Sequence, residues 1–311
     1  MINLTRMKQL LKDKIDNFLL RVKIPYLSFL VFRNKELEKL SADLENIRQK
    51  QQDILDKLGT KFRSEIDDKD SRYFISKKDK LQVEIKPFNT YPHTFIKVTN
   101  NEYIFEEKLL YSHLGLAKLI IDYEFNHVLD IGSRNGTSAR LFSFLGKNVT
   151  TIEMSEDFEA DYVGDYLEVS FPQQFDAIWC SHVLEHQRNI GTFLDKIYQD
   201  LKEGGILAIT VPSSLCPLMI GHPNIFTPLH LVYHLVLAGF DCQNVRIKYY
   251  DWQFTILLEK KSNNIKSISL ASTHYLDSTL IALVENLLNY FPLDIPENGH
   301  IWGEVESLNW E

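Results

Sequence analysis

Residues 128–136 read Val128-Leu129-Asp130-Ile131-Gly132-Ser133-Arg134-Asn135-Gly136, an apolar strand that runs straight into a tight, glycine-bearing turn, with residues able to start a helix behind it. Such a junction brings backbone N–H groups and a helix N-terminus close to a ligand. It also sets Asp130 at the carboxyl end of the strand, where open α/β sheets bind small molecules. A dinucleotide needs glycines at the first, third and sixth positions of the turn. Counted from Gly132, the later two positions hold Arg134 and Thr137, so a pyrophosphate would lack the close backbone approach it requires. A different nucleoside ligand fits better.

The residues downstream narrow the choice. A second apolar run, Val149-Thr150-Thr151-Ile152, ends in Glu153 about 20 residues on, where a nucleoside-binding fold places a carboxylate against the ribose hydroxyls; Met154 follows it. Gly164-Asp165-Tyr166-Leu167 offers an acid in a turn. Phe175-Asp176-Ala177-Ile178-Trp179-Cys180 reads as a buried strand, and Ser181-His182-Val183-Leu184-Glu185-His186 leaves it. Leu201-Lys202-Glu203-Gly204-Gly205 closes a helix with a glycine turn and feeds the strand Ile206–Val211, stopped by Pro212.

In this order, these segments resemble the motifs of class I S-adenosyl-L-methionine (SAM) dependent methyltransferases, whose first motif is an acid before a glycine-rich loop; Arg134 stands where that pattern has its middle glycine. The resemblance covers residues 105–260 and implies an α/β fold, a Rossmann-like seven-stranded methyltransferase sheet, mostly parallel with the last strand antiparallel. It implies that Asp130, Gly132 and Gly136 line the methionine part of SAM, Glu153 the ribose, Met154 one adenine face and Asp165 the adenine amino group, with Ser133 and Ser181 in the same cofactor site.

The rest of the chain reads as additions: residues 1–60 a basic amphipathic helix and a helical coiled coil, 61–104 a linker and a small β-rich segment before the catalytic domain, 261–311 a helical extension. Formal charge is −8, yet among the first 35 residues Arg6, Lys8, Lys12, Lys14, Arg21, Lys23, Arg33 and Lys35 face only Asp13 and Asp16. The body is therefore acidic, which argues against nucleic acid as a partner. The apolar run Phe18–Phe32 is too short to span a bilayer and is interrupted by Arg21, Lys23 and Pro25. Two readings stay open for it: peripheral contact with an anionic membrane surface, or docking on a partner subunit. Leu37, Leu40, Leu44, Ile47, Gln51, Ile54 and Leu58 form a heptad seam, read as homo-oligomerisation through residues 30–58 or as one helix packed on the body. Cys180, Cys216 and Cys242 lack metal-ligand spacing, and an odd number without a signal peptide fits a reducing cytoplasm, with the membrane's inner face as the site of any lipid contact.

Strands are expected at Leu81–Ile85, Thr94–Val98, Val245–Tyr250 and Phe254–Leu258, and helices at Glu106–Tyr123, Thr227–Ala238 and near Leu276–Tyr290. For catalysis, His182 and His186 leave the strand beside the cofactor loop and His222 lies in the loop after Pro212, so these three histidines are the candidate bases for a hydroxyl acceptor. The string His182-Val183-Leu184-Glu185-His186 also matches the signature of inverted zinc peptidases, but that chemistry needs both histidines on a helix, whereas here the string follows a strand. Some quinone-pathway and RNA-end methyltransferases hold a divalent ion at this station with an acid where this chain has His182, so no metal is expected.

The segment Gly221–Asp241 is similar to bacterial methyltransferases encoded with surface-polysaccharide genes. That similarity implies O-methylation of a small-molecule or saccharide acceptor. A quinone-like lipid acceptor, and a catalytically inactive SAM-fold scaffold assembled through the coiled coil, are the alternatives.

Overall fold

The computed structural model describes residues 73–78, 81–87, 94–109, 111–216, 219–263, 289–293 and 303–310. The basic N-terminal segment, the heptad seam and most of the tail helix expected near Leu276–Tyr290 lie outside these residues.

Four strands come first: β1 (Tyr73–Lys78), β2 (Leu81–Pro87), β3 (Thr94–Asn100) and β4 (Tyr103–Leu109), an antiparallel sheet in sequence order. Two expectations are corrected here. β1 falls within the stretch read as a linker, where it pairs with β2. Residues 106–109, read as the start of a helix, continue β4, because Asn101 takes a left-handed conformation (φ 56°) and turns the chain straight back from β3. The expected start of the catalytic domain at residue 105 thus lies inside a strand.

Helix α1 (His113–Asp122) follows, and its residues His113 to Ile121 are all buried. A helix apolar nearly all round needs cover on more than one side. Val83, Ile85, Ile96, Val98 and Phe105 of the small sheet and Ala177, Trp179 and Ala208 of the main sheet join α1 in one core. The buried Lys118 is neutralised by Asp122 at 3.0 Å, which also takes Arg246 at 2.6 Å.

The main sheet contains β5 (His127–Ile131), β6 (Asn148–Glu153), β7 (Tyr162–Val163), β8 (Phe175–Ser181), β9 (Leu201–Pro212), β10 (Arg246–Tyr250), β11 (Gln253–Glu259) and β12 (Ser307–Leu308), in the spatial order β12-β10-β11-β9-β8-β5-β6-β7. The β7-β6-β5-β8-β9 run is parallel and β11 is antiparallel to β9, as expected. The sheet has eight strands rather than seven: the two-residue β12, near the end of the chain, pairs with β10 and covers an edge that would otherwise be open. Alternating residues serve opposite faces. Leu129, Ile178, Cys180, Leu207 and Ile209 meet α3 (Ile190–Asp200) and α4 (Pro228–Leu237), while Val128, Ala177, Trp179 and Ala208 meet α1 and α2 (Thr137–Phe144). α4 starts as its sequence indicates, with Thr227 accepting from the His230 N–H and Pro228 in the first turn.

The glycine turn expected after the helix at Leu201 is instead a bulge. Leu201 already pairs with Phe175 and Ile206 with Ala177, so Lys202 to Gly205 loop out between them. The buried Lys260 ammonium caps that corner, donating to the Tyr198 and Leu201 carbonyls at 2.6 and 2.7 Å.

Phe193 is fully buried between α3 and the sheet. Phe193→Ala should cost about 3–5 kcal/mol in urea unfolding, the usual loss for an emptied aromatic site; a change below about 1 kcal/mol would contradict this packing.

Candidate active site

Because β5, β6 and β8 are parallel neighbours, Asp130, Glu153 and Ser181 arrive together at their carboxyl ends and line one cleft of about 1560 Å³. That is larger than the common range for a single small ligand and leaves room for two. Gly132 has φ +75°, and a Cβ there would stand 2.4 Å from Val183 Cγ2, so the turn after β5 depends on glycine at this point. Arg134 adopts the left-handed conformation that the missing glycine would take (φ 44°). Its N–H is held at 2.8 Å by Glu153 Oε2, and its guanidinium lies 5.9 Å over the Phe158 ring. Glu153 Oε1 accepts the Ser155 N–H at 3.1 Å, so this carboxylate ties together the turns after β5 and β6.

Of the other residues expected at the cofactor site, Gly132, Ser133, Met154 and Asp165 line the cleft with Asp130, Glu153 and Ser181. Gly136 is not among the lining residues; with φ +69° it caps α2, and its N–H is bound to the Ser133 carbonyl. Asp165 accepts the Leu167 N–H through Oδ1, which orders the turn behind β7. Asp130 Oδ2 and Ser133 Oγ are buried in the cleft wall with no partner among the described residues. Burial, with Glu153 nearby, pushes the Asp130 carboxyl up to about 7.

The three candidate histidines also line this cleft, but their nitrogens are committed differently. His182, in a left-handed conformation (φ 55°), is stacked on Tyr111 with ring centres 4.5 Å apart. Its Nδ1 lies 3.1 Å from Glu185 Oε1 and its Nε2 2.9 Å from Gln253 Oε1. The Gln253 amide is oriented by the Ser112 N–H, which donates to the same oxygen at 3.2 Å. Both ring nitrogens of His182 thus face protein oxygens. His186 Nδ1 is 2.7 Å from the Gly221 carbonyl. A carbonyl only accepts, so that nitrogen carries the proton and Nε2 keeps its lone pair. His222 packs edge-on against His186 at 4.6 Å, and burial lowers its pKa, which favours the neutral ring.

The sequence reading expects no metal, yet ligand atoms of Glu185, His186 and His222 all lie within 4.8 Å of one another, a spacing one divalent cation can bridge. The His-x-x-Glu-His string does not lie on an α-helix: His182 follows β8 and Leu184–His186 form a single 3-10 turn. Sequence reasoning missed Gln253, Tyr111 and Trp252, which also line the cleft. Gln253 did carry a signal, as the one amide side chain of a strand that is mostly apolar, at its first residue.

A methyltransferase-domain family model matches residues 50–266. The chain belongs to this methyltransferase family, and its cofactor is S-adenosyl-L-methionine. Among solved structures, it is similar to a SAM-dependent methyltransferase from Clostridium acetobutylicum ATCC 824, at 11% identity and TM-score 0.38 over 45% of this chain and 86% of that one. SAM-dependent methyltransferases from Archaeoglobus fulgidus (18% identity, TM-score 0.37, 54% and 81% covered) and Aquifex aeolicus (16%, 0.38, 47% and 91%) are similar too. No curated protein matches the chain. Among the described residues, no helix is long and apolar enough to cross a membrane.

The raised Asp130 pKa fixes the sign of a stability effect. The folded protein holds this proton up to about pH 7, whereas the unfolded chain releases it near the ordinary carboxylate value. Stability from this group is thus full at low pH and lost as pH rises through about 7. Asp130→Asn should stabilise the ligand-free protein against urea unfolding, by an amount on the order of 2 kcal/mol at pH 8 and little at pH 4. Equal shifts at the two pH values would rule out a buried, neutralised carboxyl.

Proposed function

We propose that this methyltransferase acts on oxygen, transferring the methyl group of SAM to a hydroxyl of a small-molecule or saccharide acceptor in cell-surface glycan biosynthesis. The observation that carries the reading is His186 Nε2, a lone pair fixed by the Nδ1 contact to Gly221 and lying in the same cleft as the β5 turn. SAM supplies a methyl group on a sulfonium, an electrophile that needs no activation by the protein. The chain has to hold the acceptor oxygen in line and take its proton.

Asp130 Oδ2 and Ser133 Oγ, buried and unpartnered, fit a ligand that brings an ammonium group, as the amino-acid end of SAM does. The glycine at residue 132 leaves space that any side chain would fill. Glu153 retains lone pairs for the ribose, Met154 and Asp165 are assigned to the adenine, and Gly136 acts by setting the turn. His186 takes the acceptor's proton, His222 orients that ring, and His182 holds Glu185 in place. Tyr111 and Trp252 set aromatic faces among these polar groups, a mixture suited to a sugar ring. Oligomerisation through residues 30–58 and peripheral contact of the basic N-terminus with a membrane's inner face belong to the same reading, supported by the heptad seam and the charge pattern.

A second reading is favoured by the Glu185, His186 and His222 spacing: a divalent cation there would orient the acceptor. EDTA leaves turnover intact under the first reading and abolishes it under the second.

Calorimetric titration of SAM and its demethylated product, S-adenosylhomocysteine, should show saturable binding that Glu153→Ala weakens at least about tenfold, the scale of one lost charge-assisted hydrogen bond. Affinity for SAM should fall below pH 7 as Asp130 takes up its proton. His186→Ala should leave cofactor binding unchanged and reduce kcat by about 10²–10⁴. Binding without turnover on any hydroxyl acceptor would favour the inactive scaffold.

A further inference from the structure

Glu185 is 1% exposed and lines the cleft, but only half of its carboxylate is used among the described residues. Oε1 faces His182 Nδ1 at 3.1 Å, while Oε2 is buried with no partner among the described residues. The carboxylate is also held still. His182 is fixed on its other side by Gln253, Gln253 by the Ser112 N–H, and the His182 ring by Tyr111. Glu185 cannot turn its second oxygen toward a protein donor without breaking this chain of contacts. A buried carboxylate oxygen left unpaired is costly, and a donor carried by what fills the cleft that Glu185 lines would relieve that cost.

His186 Nε2 lies beside the same carboxylate, 4.0 Å from its other oxygen, Oε1. An imidazole lone pair and a carboxylate side by side in one cleft match two donors on adjacent atoms of one ligand better than a molecule with a single hydroxyl or with hydroxyls far apart.

Resting on the O-methyltransferase reading, we infer that Glu185 is the specificity-determining residue for the acceptor, and that the acceptor is a vicinal diol: one hydroxyl donates to His186 Nε2 and is methylated, and its neighbour donates to Glu185 Oε2. A site built to pair a hydroxyl rejects the analogue lacking it far more strongly than an apolar pocket rejects a missing methylene, because its own polar group is then stranded. Sugar rings and catechols belong to the selected class; monohydric alcohols and phenols do not.

The test is calorimetry on the full chain in EDTA, first with S-adenosylhomocysteine alone. The resulting complex is then titrated with matched probes: catechol against phenol, cis-1,2-cyclohexanediol against cyclohexanol, and methyl α-D-glucopyranoside against tetrahydropyran-2-methanol. For at least one pair the diol should bind about tenfold or more tightly, and Glu185→Gln should bring that ratio close to one while S-adenosylhomocysteine still binds. Equal affinities within every pair, no binding of any diol, or a ratio that survives Glu185→Gln overturns the assignment. So does a diol preference that appears only on adding Mg²⁺ or Mn²⁺, because the free oxygen then serves a cation. Failure of S-adenosylhomocysteine to bind the wild-type chain is a separate result and removes the cofactor site itself.

Discussion

The Glu153 carboxylate holds together the turns after β5 and β6 that line one end of the cleft. Through Oε2 it takes the Arg134 N–H and through Oε1 the Ser155 N–H, while the Ile152 carbonyl just before it receives the Gly132 and Ser133 N–H groups. The turn after β5 is thus bonded to the end of β6 at three successive backbone positions. This explains how a non-glycine residue persists at φ 44°: left-handed backbone costs Arg134 on the order of 1–2 kcal/mol, which the charge-assisted hydrogen bond to its N–H offsets. It also keeps Asp130 and Ser133 facing the cleft with unpaired polar atoms, a local cost that a ligand can relieve.

At the other end of the cleft the organising element is a chain of polar contacts, Ser112–Gln253–His182–Glu185, drawn from four separate segments. It joins the entry to α1, the first residue of the antiparallel β11, the end of β8 and the 3-10 turn behind it. The chain uses both nitrogens of His182 and leaves one oxygen of Glu185. His186, four residues after His182 in the same string, keeps a free nitrogen because the Gly221 carbonyl fixes its other one. Two histidines of one short motif are therefore bonded differently, one through both ring nitrogens and one through a single nitrogen.

Much of this was legible from the chain. The strand at 128–131, the glycine turn, the acid at Glu153 and the helix after Thr227 all follow from local patterns that depend on few neighbours. Residues 106–109 of β4 also suit a helical period, because Leu109 and Leu110 lead on to Leu114 at helical spacing, and only pairing with β3 decides the matter. β12 has two residues and no pattern of its own; it exists because β10 offers an edge.

By itself the sequence determined the class of fold and the turn after β5 with the acid at the end of β6, because strand alternation, a glycine with positive φ and an acid at a strand's end are properties of a residue and its immediate neighbours. Which histidine is free, which carboxylate oxygen lacks a partner and that Gln253 belongs to the site were decided only by the tertiary structure. Those properties depend on hydrogen bonds between residues 71 or 141 positions apart, as in His182 with Gln253 and Ser112 with Gln253, and no local pattern encodes which partner a polar side chain will meet.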